Sequence, residues 1–157
     1  MRNILNALAI AAFAVAPPAG IAQAQNLTLY KIAGVTDDGG TTHAGTATVV
    51  HCTNFTASTQ QIRYIVRDDD GSVLANKVLL APVVPRGTRT AATHFTRAFT
   101  ENLGLTPGVT IKHGSMTIKA TTRKLHCSAM IVDAGATMPT GIALSLTRFQ
   151  QEKGAQE

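Results

Sequence analysis

Apolar and polar positions along this chain alternate with period two over short stretches, and no long stretch keeps an apolar stripe at helical spacing. Residues 60–67 are the clearest case. Ile62, Tyr64 and Val66 point one way, and Gln61, Arg63, Ile65 and Arg67 the other, because successive strand side chains leave on opposite faces. Asp68-Asp69-Asp70-Gly71 follows and residues 72–80 return, which predicts a hairpin, since Asp-Gly accommodates the positive φ angles of tight turns. Residues 27–33 and 45–53 read as earlier strands, the second with Thr46, Thr48, Val50 and Cys52 on one face. Asp37-Asp38-Gly39-Gly40 reads as the turn between them.

Downstream, Pro82 and Pro85 close one strand and residues 88–95 form a threonine-rich next one. Phe95, Phe99, Leu103 and Leu105 suit a short helical or irregular crossover that Pro107-Gly108 ends. Residues 115–121 align Met116, Ile118 and Ala120, and residues 124–132 align Leu125, Cys127, Ala129 and Ile131. After a Gly/Pro/Thr loop at 133–141, residues 142–149 alternate again through Ile142, Leu144 and Leu146. Threonine occurs 22 times, and branched side chains suit a pleated surface. Short strands separated by frequent turns predict an all-β antiparallel sandwich of about seven to nine strands rather than a parallel α/β fold.

The first residues follow a different rule. Arg2 precedes an apolar run over residues 4–16 broken only by Asn6; Pro17, Pro18 and Gly20 end it, and Ala22-Gln23-Ala24 fits a small-x-small cleavage site. Thirteen such residues would rise only about 20 Å as a helix, against a hydrocarbon core of about 30 Å. The expected organisation is a signal peptide over 1–24, a β-sandwich domain over 25–149 and a polar tail over 150–157. The 157 residues leave room for one such domain, and the expected destination is the periplasm or the medium.

Export bears on the two cysteines. Cys52 and Cys127 lie 75 positions apart without a C-x-x-C spacing, so an oxidising compartment favours a structural disulfide over a redox thiol. Both fall on inward strand faces, and a bridge pinning facing sheets predicts an immunoglobulin-like architecture, although no tryptophan is present to pack on it. A bridge between neighbouring strands of one sheet is the alternative.

His51-Cys52-Thr53-Asn54-Phe55, the run Ile62-Arg63-Tyr64-Ile65-Val66-Arg67-Asp68, Cys127-Ser128-Ala129-Met130 and Pro139-Thr140-Gly141-Ile142-Ala143-Leu144 together resemble small uncharacterised secreted bacterial proteins. The resemblance covers most of the chain after residue 24. It implies a periplasmic or extracellular β-sandwich with a disulfide, and assigns no site residues.

Candidate chemistry is sparse. His51 and His126 each precede a cysteine. Across facing sheets, about 10 Å apart, their imidazoles would diverge; on neighbouring strands they would share a face and make a copper or zinc site conceivable. The first arrangement is expected, with His43, His51, His94, His113 and His126 as unrelated surface or loop residues and no metal or other cofactor. Asp68–Asp70 lacks the spaced ligands and distal Glu of a calcium loop. No G-x-S-x-G, phosphate loop or dinucleotide fingerprint occurs, so the expectation is a non-enzymatic module.

Charge supplies the remaining signal. Without Arg2, 13 basic residues face 9 acidic ones, a net +4. Arg63 and Arg67 share an outward strand face, while Arg86, Arg89 and Arg97 gather around one connection; these five are the candidate contacts to an anionic surface or to another exported protein. Export and six aromatics after residue 24 argue against nucleic acid and against a flat-ring sugar platform. The chain is expected to be an exported binding or structural module, with histidine-mediated metal or small-ligand binding as the alternative.

Overall fold

A computed structural model describes residues 27–40 and 42–149. The expected signal peptide and polar tail lie outside the described residues. Ten strands run in chain order: β1 (Leu27–Asp38), β2 (Thr46–Asn54), β3 (Ile62–Arg67), β4 (Val73–Val78), β5 (Thr88–Ala92), β6 (Leu103–Gly104), β7 (Thr110–Ala120), β8 (Leu125–Asp133), β9 (Gly141–Leu144) and β10 (Leu146–Arg148). They form two five-stranded sheets, with order β10-β1-β7-β3-β4 in the first and β6-β5-β2-β8-β9 in the second. Every pairing is antiparallel except the short parallel β5–β6 pair. No helix is present among the described residues.

Period-two alternation sets which side chains meet between the sheets. Ile32 and Val35 of β1, Ile62, Tyr64 and Val66 of β3, and Met116, Ile118 and Ala120 of β7 share one core with Val50 and Cys52 of β2, Ala91 of β5 and Leu125 and Ala129 of β8. Burying this apolar face is the main force holding the two layers together. Tyr30 adds a polar tie: its hydroxyl donates to the Leu125 carbonyl at 3.2 Å, joining β1 of the first sheet to β8 of the second. A smaller cluster forms on the outer side of the second sheet, where Ala47, Val49, Ala92, Val132 and Ala134 pack with Phe99 and Met130. Phe99 belongs to the segment between β5 and β6, so the expected crossover is irregular and covers part of that face.

The β3–β4 hairpin forms as the sequence predicts. Gly71 adopts φ 86°, and the Asp68 amide donates to the Ser72 carbonyl. Two expectations are corrected. The strand expected over 142–149 is two: β9 pairs with β8, β10 pairs with β1, and the chain passes from one sheet to the other at Ser145. The disulfide Cys52–Cys127 does not pin facing sheets. β2 and β8 are neighbours in the second sheet, and Cys52 stands directly opposite Cys127 with Cα atoms 4.1 Å apart. Directly opposed residues at a narrow pair come this close, which suits a bridge within a sheet. Both cysteines still face the core.

Candidate functional site

The outer face of the first sheet carries a group of basic side chains. Arg63, Ile65 and Arg67 point outward from β3, alternating with the buried Ile62, Tyr64 and Val66. On β7, Ser115, Thr117 and Lys119 alternate with Met116, Ile118 and Ala120. Thr28, Lys31, Ile65, Arg67, Ser115, Thr117 and Lys119 line a groove of about 360 Å³ across β1, β7 and β3. Buried Ile65 is the apolar member of this lining, and Lys31 packs its ammonium over the Phe149 ring at 4.6 Å. Arg63 lies directly opposite Lys119 in the β3–β7 ladder.

The structure brings together only part of the predicted basic set. Arg67 lines the groove with Lys31 and Lys119, which come from strands that the sequence did not connect to β3, and Arg63 stands opposite Lys119 on the same sheet face. The expected gathering of Arg86, Arg89 and Arg97 around one connection does not form. Arg86 follows Pro85 in the β4–β5 loop with φ 59°. Arg89 stands opposite Cys52 and therefore on the inner side of β5. The Arg97 amide donates to the Ala134 carbonyl at the other end of the sheet.

The intrasheet bridge puts His51 and His126 on one face of the second sheet, the arrangement not expected from sequence. They are not directly opposed: His51 faces Ser128 and His126 faces Thr53. Each ring turns to its own phenylalanine, His51 edge-on to Phe99 at 4.7 Å and His126 to Phe55 at 5.1 Å. His51 Nδ1 also lies 2.9 Å from Thr90 Oγ1. Burial pushes the His51 imidazole below the usual histidine value, and the Glu101 carboxylate pulls it partly back.

His94, one of the five histidines expected at surface or loop positions, lies on the segment after β5 but not at the surface. It is buried, with Nδ1 2.8 Å from Asp37 Oδ2 and Nε2 2.9 Å from the Ala44 carbonyl. Asp37, Asp38 and His94 hold ligand-type atoms within 4.8 Å of one another. Those atoms are already engaged. Asp37 Oδ1 accepts from the Gly39 amide, and the two Asp38 oxygens accept from the amides of Gly40 and Thr46. Gly45, at φ 78°, sets its Cα against the Asp38 carboxylate, where a larger residue would collide. The cluster is the joint that closes the β1–β2 connection. The Asp68–Asp70 turn is likewise closed: hydrogen bonds from the Ser72 side chain and then its amide hold the Asp70 carboxyl below its usual range.

No family model and no curated protein matches this chain. Among solved structures it is similar to the crystal structure of Thermotoga maritima 1070, with a TM-score of 0.46 and 14% identity over 82% of this chain and 98% of that one.

Proposed function

We propose that this protein is an exported, non-enzymatic binding module that holds an anionic ligand on the outer face of its first sheet. The observation that carries this reading is the groove in which Lys31, Arg67 and Lys119 converge beside three hydroxyls. Thr28, Ser115 and Thr117 can donate to and accept from an oxyanion and its neighbouring hydroxyls. Arg63 and Arg67 are four residues apart on one strand, a separation of about 13 Å, which suits charges repeated along an extended chain better than a single small anion. An anionic polysaccharide is the ligand class we favour.

Export rests on the signal-peptide pattern over 1–24, on the resemblance to small secreted bacterial proteins, and on a disulfide of the kind that persists in oxidising compartments. With the bridge inside one sheet, the immunoglobulin-like description rests on the two-sheet architecture alone.

Binding of heparin, used as an anionic-polysaccharide probe, tests the reading. Association is expected to weaken steeply with salt and to fall about tenfold or more in Arg67→Glu combined with Lys119→Glu. Binding that survives both the salt and the double charge reversal would overturn it, as would no binding. The competing histidine reading has the shared face of His51 and His126 in its favour. Native mass spectrometry finding a stoichiometric metal that His51→Ala with His126→Ala removes would support it instead.

A further inference from the structure

A second surface lies at the end of the molecule where β2, β4 and β7 finish. Three loops meet there: residues 55–61, 79–87 and 121–124. Buried Asn54 and Gln60 tie them together. The Asn54 side-chain amide donates to the carbonyls of Ser58, Val83 and Val84, while its oxygen accepts from the Thr56 amide and hydroxyl. Gln60 exchanges backbone hydrogen bonds with Val83, and its side-chain oxygen accepts from Thr121. Such a satisfied buried network rigidifies what it holds.

What these fixed loops present to solvent is apolar. Leu80 is 91% exposed, Phe55 62% and Val84 51%. Single exposed apolar residues are ordinary, but three on loops cross-tied by a buried polar hub form a preorganised protrusion. Its surroundings are basic: Arg86 stands on the second loop, and exposed Arg123 and Lys124 on the third. The three loops contain no aspartate or glutamate. The carboxylates of Asp37, Asp38, Asp68, Asp69, Asp70 and Asp133 all belong to the opposite end, at the far termini of β1, β3 and β8. Among the described residues, therefore, the six aspartates lie at one end of the strands and Arg86, Arg123 and Lys124 at the other.

We propose that this end docks on an anionic phospholipid bilayer. Leu80, Phe55 and Val84 enter the interface between headgroups and acyl chains, and Arg86, Arg123 and Lys124 meet the headgroup phosphates. Apolar area and cation count act together in such binding, since neither alone holds a protein firmly at a membrane surface. The acidic end, directed away, favours the same orientation by repulsion. This surface shares no residue with the groove.

Co-sedimentation with vesicles of equimolar phosphatidylglycerol and phosphatidylcholine, against vesicles of phosphatidylcholine alone, tests the proposal on the whole exported chain. Binding is expected to the anionic vesicles and not to the neutral ones. Leu80→Ser with Phe55→Ser, and separately Arg123→Glu with Lys124→Glu, are each expected to weaken it about tenfold or more. These side chains are solvent-exposed, so folding is preserved, which an unchanged far-ultraviolet spectrum checks. Lys112→Glu, exposed near the other end of β7, is expected to leave vesicle binding close to that of the parent. The proposal is overturned by equal binding to both vesicles, by binding that the loop variants leave intact, by binding that Lys112→Glu weakens as much as they do, or by no binding. The last result would leave a protein partner as the occupant of this end.

Discussion

His94 and Asp37, 57 positions apart in sequence, meet in the interior with Nδ1 2.8 Å from Oδ2, and both side chains are almost fully buried. The Ala44 carbonyl can only accept, so His94 Nε2 carries hydrogen, and the pair shares a second proton along the Nδ1–Oδ2 axis. Removing one partner leaves the other polar and buried. His94→Ala and Asp37→Ala are each expected to cost about 3–5 kcal/mol in chemical denaturation. Asp37→Asn is expected to cost clearly less, because an amide can still accept from Gly39 and donate to Nδ1 of neutral His94. Equal losses for Asp37→Asn and Asp37→Ala would contradict this account of the joint.

Tyr64 gives a prediction in alkali. Its hydroxyl is buried without a hydrogen-bond partner among the described residues, and burial pushes its pKa far above the usual tyrosine value, making it a weaker acid. The native state keeps the proton after the unfolded chain has begun to lose it near pH 10. Stability from this group is therefore complete below about pH 10 and falls as pH rises above it. Tyr64→Phe is expected to flatten that alkaline loss and to raise stability at neutral pH by about 1 kcal/mol, since an orphaned polar atom is removed. Denaturant midpoints measured at both pH values check both effects.

His51 acts in the acid direction. Its native value lies below the unfolded one, so the unfolded chain binds the extra proton first. The contribution is complete above about pH 6.5 and is lost as pH falls toward the lower native value. In a nuclear magnetic resonance titration, His51 is expected to protonate at lower pH than an ordinary histidine. Glu101→Gln is expected to lower that midpoint further, because it removes the carboxylate that favours the charged ring. An upward shift would contradict the assignment.

The disulfide closes a loop spanning a sequence separation of 75, which the chain-entropy model values at about 4 kcal/mol. The same two strands are also joined by a nine-residue ladder from Thr46↔Asp133 to Asn54↔Leu125. Cys52→Ala with Cys127→Ala is therefore expected to lower stability by up to about 4 kcal/mol while leaving the β-sheet circular dichroism spectrum in place. Loss of that spectrum in the double variant would mean that the ladder depends on the bridge.

Strand faces were legible in the sequence, and strand neighbours were not. Alternation placed Ile62, Tyr64 and Val66 inward, put Arg63 and Arg67 outward, and turned both cysteines to the core. A period of two reports which face a residue occupies, but carries no information about which strand lies alongside. That is why Cys52 and Cys127 were expected to link the two layers although they lie on neighbouring strands of one. The same blindness hid Lys31 and Lys119 from Arg63 and Arg67. His94 was illegible for another reason: its carboxylate comes from a pair of aspartates whose Gly-Gly sequel reads as an ordinary turn. Only the β1–β2 connection folding back over β5 reveals that Asp37 points inward. The break at Ser145 was hidden because Ile142, Leu144 and Leu146 keep their alternation through it.

That break has a mechanical consequence. The strands on either side of Ser145 lie along the outer flanks of β8 and β1, so one seam of eight residues finishes both layers. A break there would loosen the covering strand at one edge of each layer, and unpaired strand edges are templates for self-association.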